Sequence, residues 1–183
     1  MFKWLLLAFT IGIALLLWRM ITQSNRNLPR PGDIAPAFTL PDQKGKLRDS
    51  SEFRGRWLVL YFYPRDDTPG CTEQAARYRD AMRDIEALGA TVCGVSVDGG
   101  ESHAAFARKY ILPFTLLSDT NGEVAARHGS LRNFGILKLA KRNTFLIDPQ
   151  GKVAKVYLGV NPSRDALEVI TDLKRLAPAC SKA

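Results

Sequence analysis

Residues 57–63 (WLVLYFY) form an unbroken run of apolar and aromatic residues that stops at Pro64. The run is short, and its aromatic content favours a strand hidden on both faces. Proline ends it, because the ring removes a backbone donor that a sheet needs. Such a strand requires neighbours at both edges and a covering layer on both sides. Residues 91–97 (TVCGVSV) read as a second buried strand and 114–117 as a shorter one. Between them, residues 72–88 bring Ala75, Tyr78, Met82, Ile85 and Leu88 to helical spacing, and Gly89 suits the end of that helix. Residues 102–110 read as a helix capped by Ser102, and residues 123–128 as a short one. Residues 142–148 (RNTFLID), the turn PQGK and residues 153–160 predict a β-hairpin, and residues 165–176 a closing helix. Strands alternating with helices, then a hairpin and a helix, predict an α/β domain with a mixed central sheet flanked by helices.

The 183 residues, 46% hydrophobic and 24% charged, suit one domain with a core. The net charge is +8, but the basic residues form no stripe with interleaved aromatics, so nucleic acid is not an expected partner. Three scattered cysteines and two distant histidines match no metal-ligand spacing, and no Gly-rich phosphate loop occurs. Neither a metal nor a cofactor is expected.

Residues 4–18 (WLLLAFTIGIALLLW) carry no charge and lie between Lys3 and Arg19. As a helix the run is roughly 22 Å long, and Met20 and Ile21 extend it towards a ~30 Å hydrocarbon core if Arg19 snorkels. Trp4 and Trp18 sit at its edges, as interfacial aromatics do. The following LLLWRMITQSNRN lacks the small-residue pattern of a cleavage site, which favours a retained anchor over a signal peptide. The expected organisation is a single-pass anchor at 1–22 contacting membrane lipid, a tether at 23–30, a domain at 31–177 and a flexible tail at 178–183. The setting expected is a bacterial inner membrane. Arg19, Arg26 and Arg30 on the C-terminal flank lean the domain towards the cytoplasm, with export as the alternative.

The chemistry concentrates in residues 61–80 (YFYPRDDTPGCTEQAARYRD). Cys71 arrives in the first turn of the helix that follows the buried strand. Unpaired backbone N–H groups and the positive end of a helix stabilise a thiolate there, and a thiolate is a nucleophile. Thr68 can bring a hydroxyl beside the sulfur, and Pro64 and Pro69 stiffen the loop. The polar flanks distinguish Cys71 from a buried structural thiol.

Pro64-x-x-x-Thr68-x-x-Cys71 is similar to the peroxiredoxin active-site signature. The surrounding text resembles the bacterioferritin-comigratory, or peroxiredoxin Q, branch over about residues 31–175. It includes APAFTLPDQKGK, GVSVDGGESHAAFARKYILPFTLLSD and RNTFLID. The resemblance implies a thioredoxin-like fold and a thiol peroxidase that reduces hydrogen peroxide and organic hydroperoxides. It implies that Cys71 attacks the peroxide and becomes a sulfenic acid. It makes Thr68 the hydroxyl serving thiolate and peroxide, Pro64 the cover of the thiolate, and Arg142 the cation that stabilises the developing charge. It also implies thioredoxin, or another external thiol, as reductant.

The two resolving positions familiar in this branch are empty: they hold Ala76 and Ala107. Cys93, inside TVCGVSV, reads as an inert core thiol, and Cys180 in the tail is the candidate for a second redox cysteine. An external thiol completing the cycle is the default. His103 and His128 read as packing or surface residues remote from the signature. A tethered thiol-disulfide oxidoreductase is the competing function, but it would need a Cys-x-x-Cys pair, and Gln74 stands where the second cysteine would be. A non-catalytic interaction domain is the other alternative, and the intact set of Pro64, Thr68, Cys71 and Arg142 weighs against it.

Overall fold

The computed structural model describes Gly12, residues 27–135 and residues 137–180. Apart from Gly12, the expected anchor at 1–22 lies outside the described residues, as does the start of the tether. Among the described residues no helix is long and apolar enough to cross a membrane.

The strands are β1 (Thr39–Pro41), β2 (Leu47–Asp49), β3 (Trp57–Phe62), β4 (Ala90–Ser96), β5 (Thr115–Ser118), β6 (Leu131–Asn133), β7 (Lys138–Ala140), β8 (Asn143–Ile147) and β9 (Val153–Leu158). The helices are α1 (Pro69–Asp80), α2 (Met82–Ala87), α3 (Gly100–Tyr110), α4 (Glu123–Arg127) and α5 (Asp165–Cys180). A five-stranded sheet in the order β5-β4-β3-β8-β9 forms the centre. β3 runs parallel to β4, and β4 to β5, while β8 is antiparallel to both β3 and β9. This is the mixed α/β sheet that the alternation of strands and helices predicts.

β3 is buried at every position. Side chains alternate across a strand, so Trp57, Val59 and Tyr61 join one apolar cluster and Leu58, Leu60 and Phe62 the other. The first cluster takes Tyr78, Ile85, Phe106 and Leu173 from α1, α2, α3 and α5. The second takes Phe38, Phe53, Val124 and Phe145 from the N-terminal segment, α4 and β8. Layers on both faces explain why β3 reads as a continuous apolar run rather than an alternating one.

Four local features differ from the sequence reading. The helix expected at 72–88 begins earlier, at Pro69, and breaks at Ala81 into α1 and α2. The buried positions Tyr78, Met82 and Ile85 keep helical spacing through the break, which hides it in the sequence. α3 begins at Gly100 with Gly99 as its cap, and the Ser102 hydroxyl donates to Asp66 instead. β6 and β7 form a hairpin not anticipated in the sequence. α5 runs through Cys180, so the tail expected at 178–183 starts as helix, and residues 181–183 lie outside the described residues.

His128 caps α4 and packs against Phe62 and Phe145. Its Nδ1–H donates to the Val124 carbonyl at 2.8 Å, while Nε2 is buried without a partner. Burial pushes its pKa down to about 4, against the backbone hydrogen bond that favours the cation. Between pH 6.5 and 4 the unfolded chain therefore binds a proton that the folded chain refuses, and stability falls as pH falls. From pH 7 to pH 5 this group should remove about 2 kcal/mol. Burial raises Asp119 and Asp165, and these titrate with the opposite sign. The measurement is therefore the difference between wild type and His128→Leu in urea unfolding at the two pH values.

Candidate active site

The end of β3 fixes the site. Tyr63 N–H continues the parallel ladder to Val95 at 3.1 Å, and Pro64 then turns the chain out of the sheet. Thr68 is the N-cap of α1 and Pro69 its first residue, which makes Cys71 the third residue of the helix. The first intrahelical bond runs from Thr72 N–H to the Thr68 carbonyl. The helix geometry thus leaves the N–H groups of Gly70 and Cys71 without an intrahelical acceptor. They stand at the positive end of α1, next to the sulfur of a residue that is 1% exposed.

The β3–β8 register pairs Phe62 with Asn143, so Arg142 arrives level with the start of the loop that leads to Cys71. Its backbone carbonyl accepts from Val160 N–H at 3.0 Å. Its Nη2 lies 3.3 Å from Cys71 Sγ, and Nη1 donates to Gln74 Oε1 at 2.7 Å. A methyl group on Gly70 would sit 3.2 Å from Nη2 and 3.5 Å from Pro162. The close approach of the guanidinium depends on that glycine.

Gln74, read in the sequence only as a missing cysteine, is fully buried one turn beyond Cys71. Its Nε2 donates to Asp165 Oδ2 at 2.6 Å. The same oxygen accepts from Tyr78 at 2.7 Å and Thr144 at 2.8 Å. A carboxylate on this oxygen can only accept, so the amide must turn its nitrogen to Asp165 and its oxygen to Arg142. Asp165, on α5, thereby sets the amide that holds the guanidinium. Burial raises the Asp165 pKa, against the three hydrogen bonds that favour the anion. No sequence signal marked Asp165, because the contact joins residues 91 positions apart.

A second network pins the loop. Asp66 accepts from Tyr63 at 2.7 Å, from Ser102 at 2.7 Å and from His103 Nδ1 at 2.8 Å. Burial pushes the Asp66 carboxyl up, but these bonds outweigh it and hold the pKa below the ordinary value. His103 is fully buried and its Nε2 faces the Leu117 carbonyl at 3.2 Å. It is a packing residue as expected, yet it touches the signature loop directly.

The other expected residues fall as follows. Pro64 is half-buried and lines, with Arg142, a cavity of about 510 Å³ beside Leu28, Arg132, Lys141, Leu158 and Val160. The Thr68 hydroxyl donates to the Arg65 carbonyl at 3.0 Å rather than to the sulfur. Cys93 is buried in the cluster on the opposite sheet face from Cys71, and burial pushes its thiol up to about 12. Cys180 ends α5, roughly 22 Å of helix from Asp165.

Residues 31–156 match the AhpC/TSA family. Peroxiredoxin Q of Sedum lineare, a chloroplastic protein, is 47% identical over 127 residues, covering 69% of this chain and 67% of that one. A putative peroxiredoxin bcp of Coxiella burnetii is 40% identical over 143 residues, covering 76% and 95%. The crystal structure of the peroxidoxin BcpB from Mycobacterium tuberculosis superposes with a TM-score of 0.78 at 34% identity, covering 81% and 98%.

Removing the Gln74 amide should release Arg142 from the sulfur. Gln74→Ala is expected to slow alkylation of Cys71 by iodoacetamide about tenfold near neutral pH. In an Arg142→Ala background the same change should add little, because both act through one guanidinium. Rates of the two single variants and the double variant check this.

Proposed function

The chain belongs to the AhpC/TSA family, in its peroxiredoxin Q branch, and is a thiol peroxidase; we propose that Cys71 is the thiol that attacks the peroxide. The observation that carries this role is the 3.3 Å contact between Arg142 Nη2 and Cys71 Sγ at the open end of α1. The Cys71 thiolate attacks one peroxide oxygen. The S–O bond forms as the O–O bond breaks, and the departing oxygen takes a proton to leave as water or an alcohol. Sulfur loses two electrons and becomes a sulfenic acid. Arg142 and the N–H groups of Gly70 and Cys71 are fixed donors where negative charge moves from sulfur to the leaving oxygen. Pro64 walls the approach, and Thr68 reaches the incoming peroxide by rotation about χ1. The partly apolar cavity beside Arg142 supports organic hydroperoxides as substrates alongside hydrogen peroxide.

An external thiol, with thioredoxin as the family-based choice, completes the cycle. Its sulfur displaces hydroxide from the sulfenic acid, giving a mixed disulfide and water, and a second thiol releases Cys71. The placement of the other cysteines supports this reading. Cys93 lies across the sheet, and Cys180 lies far along α5, whereas a disulfide needs Cα atoms within about 7 Å. We further propose that residues 1–22 anchor the protein in a membrane, on the apolar run and the flanking charges of that segment.

Stopped-flow mixing with hydrogen peroxide tests the assignment. Cys71→Ser should abolish peroxide consumption, and Arg142→Ala should lower the second-order rate constant by roughly two to three orders of magnitude. Peroxide treatment without reductant should leave Cys71 as sulfenic acid. Mass spectrometry showing a Cys71–Cys180 or Cys71–Cys93 disulfide as the main product would replace the external thiol with an internal one.

A further inference from the structure

The β6–β7 hairpin rises from the rim of the cavity that Pro64 and Arg142 line. Arg132 and Ala140 line that cavity, and Lys141 and Arg142 follow β7 directly. The two three-residue strands carry the tip about 10 Å outward. There Phe134 and Leu137 are 60% and 50% exposed. Leu158, on the cavity wall, is 58% exposed. Three of the seven large hydrophobic side chains exposed among the described residues thus lie at the end of this hairpin or on the cavity wall at its base. The charge on this segment is mainly positive: residues 124–147 contain Arg127, Arg132, Lys138, Lys141 and Arg142 and no acidic residue, and the exposed Glu123 stands beside the base of the hairpin, where Lys138 Nζ donates to the Asn121 carbonyl. An apolar tip in a basic collar fits the interface of an anionic bilayer, where chains take up the apolar groups and phosphates attract the cations.

The N-terminal segment reaches the same cavity. Leu28 lines the cavity and packs on Gly129, where a Cβ would come within 3.0 Å of it. Nine residues, two of them arginines, separate the apolar run at 4–18 from Leu28. A linker of that length, fully extended, holds the cavity within about 35 Å of the end of the run.

We infer that Phe134 and Leu137, with the basic side chains beside them, form a second membrane contact, which turns the cavity lined by Pro64 and Arg142 towards an anionic lipid surface. The tether length rests on the proposed anchor; the hairpin, its exposure and its charge do not. A peroxide group on a phospholipid chain emerging at that surface would meet Pro64 and Arg142 first.

The test uses the full chain with Cys71→Ser and Cys180→Ser, reconstituted in vesicles of about three parts phosphatidylcholine to one part phosphatidylglycerol. Phe134→Cys carries an environment-sensitive fluorophore, and Glu86→Cys, exposed on α2 and outside the cavity lining, carries the control label. Nitroxide-bearing lipid should quench the tip label and not the control. Retention of the chain in carbonate reports the anchor separately. A retained chain whose tip label answers only to aqueous iodide overturns the inference and leaves the anchor standing. Tip quenching at neutral pH in a chain lost to carbonate removes the anchor and upholds the tip contact. A tip label protected by a second copy in solution assigns the surface to a dimer and overturns the inference. In the unlabelled enzyme with Cys71 restored, Phe134→Ser with Leu137→Ser should cut the rate on vesicle-borne phospholipid hydroperoxide about fivefold and leave the hydrogen peroxide rate unchanged. Equal loss on both peroxides, or loss on neither, overturns it.

Discussion

Everything at the site depends on one guanidinium held in place from two directions. Arg142 touches the sulfur through one nitrogen and the Gln74 amide through the other. Neither contact would exist without the β3–β8 register, because a slip of one residue would turn Arg142 to the other face of the sheet. The positive end of α1 adds N–H groups from Gly70 and Cys71, and Gly70 leaves room for the arginine to approach them. Central sheet, helix start and cation are therefore one arrangement. The sheet sets the distance, and the helix sets the direction in which the sulfur faces.

Buried polar groups give this arrangement its rigidity. Asp165 gathers donors from Gln74 and Tyr78 of α1 and from Thr144 of β8, and so ties the closing helix to the helix that carries Cys71. Asp66 does the same for the loop, joining it to β3 and α3. Each carboxylate is costly to bury and is retained with several donors around it, as low-dielectric interiors require. Asp66 and Asp165 thus tie down the segments that carry Cys71 and Gln74.

Much of this was legible from the sequence, for reasons that differ by residue. The run at 57–63 marked the central strand because both its faces are covered. Cys71 was legible because a helix start, a polar loop and proline punctuation are local signals. Arg142 was legible only through the resemblance, since a lone arginine at the start of a strand carries no signature. Gln74 and Asp165 were opaque: their meaning lies in a contact between segments that only the folded chain brings together. The break at Ala81 was hidden because core spacing continues across it. The β6–β7 hairpin was missed because its strands are three residues long and end in an exposed apolar tip.

The central sheet also acts as a partition. Cys71 and Cys93 sit in separate apolar compartments, on opposite faces of the sheet. On the external-thiol cycle proposed above, a chain built this way holds no internal store for the oxidising equivalents it collects. Each peroxide removed would leave one oxidised sulfur for a thiol from outside the domain to reduce. The working rate under sustained oxidant is then a property of the surrounding thiol pool and of how easily that pool reaches the mouth of the site.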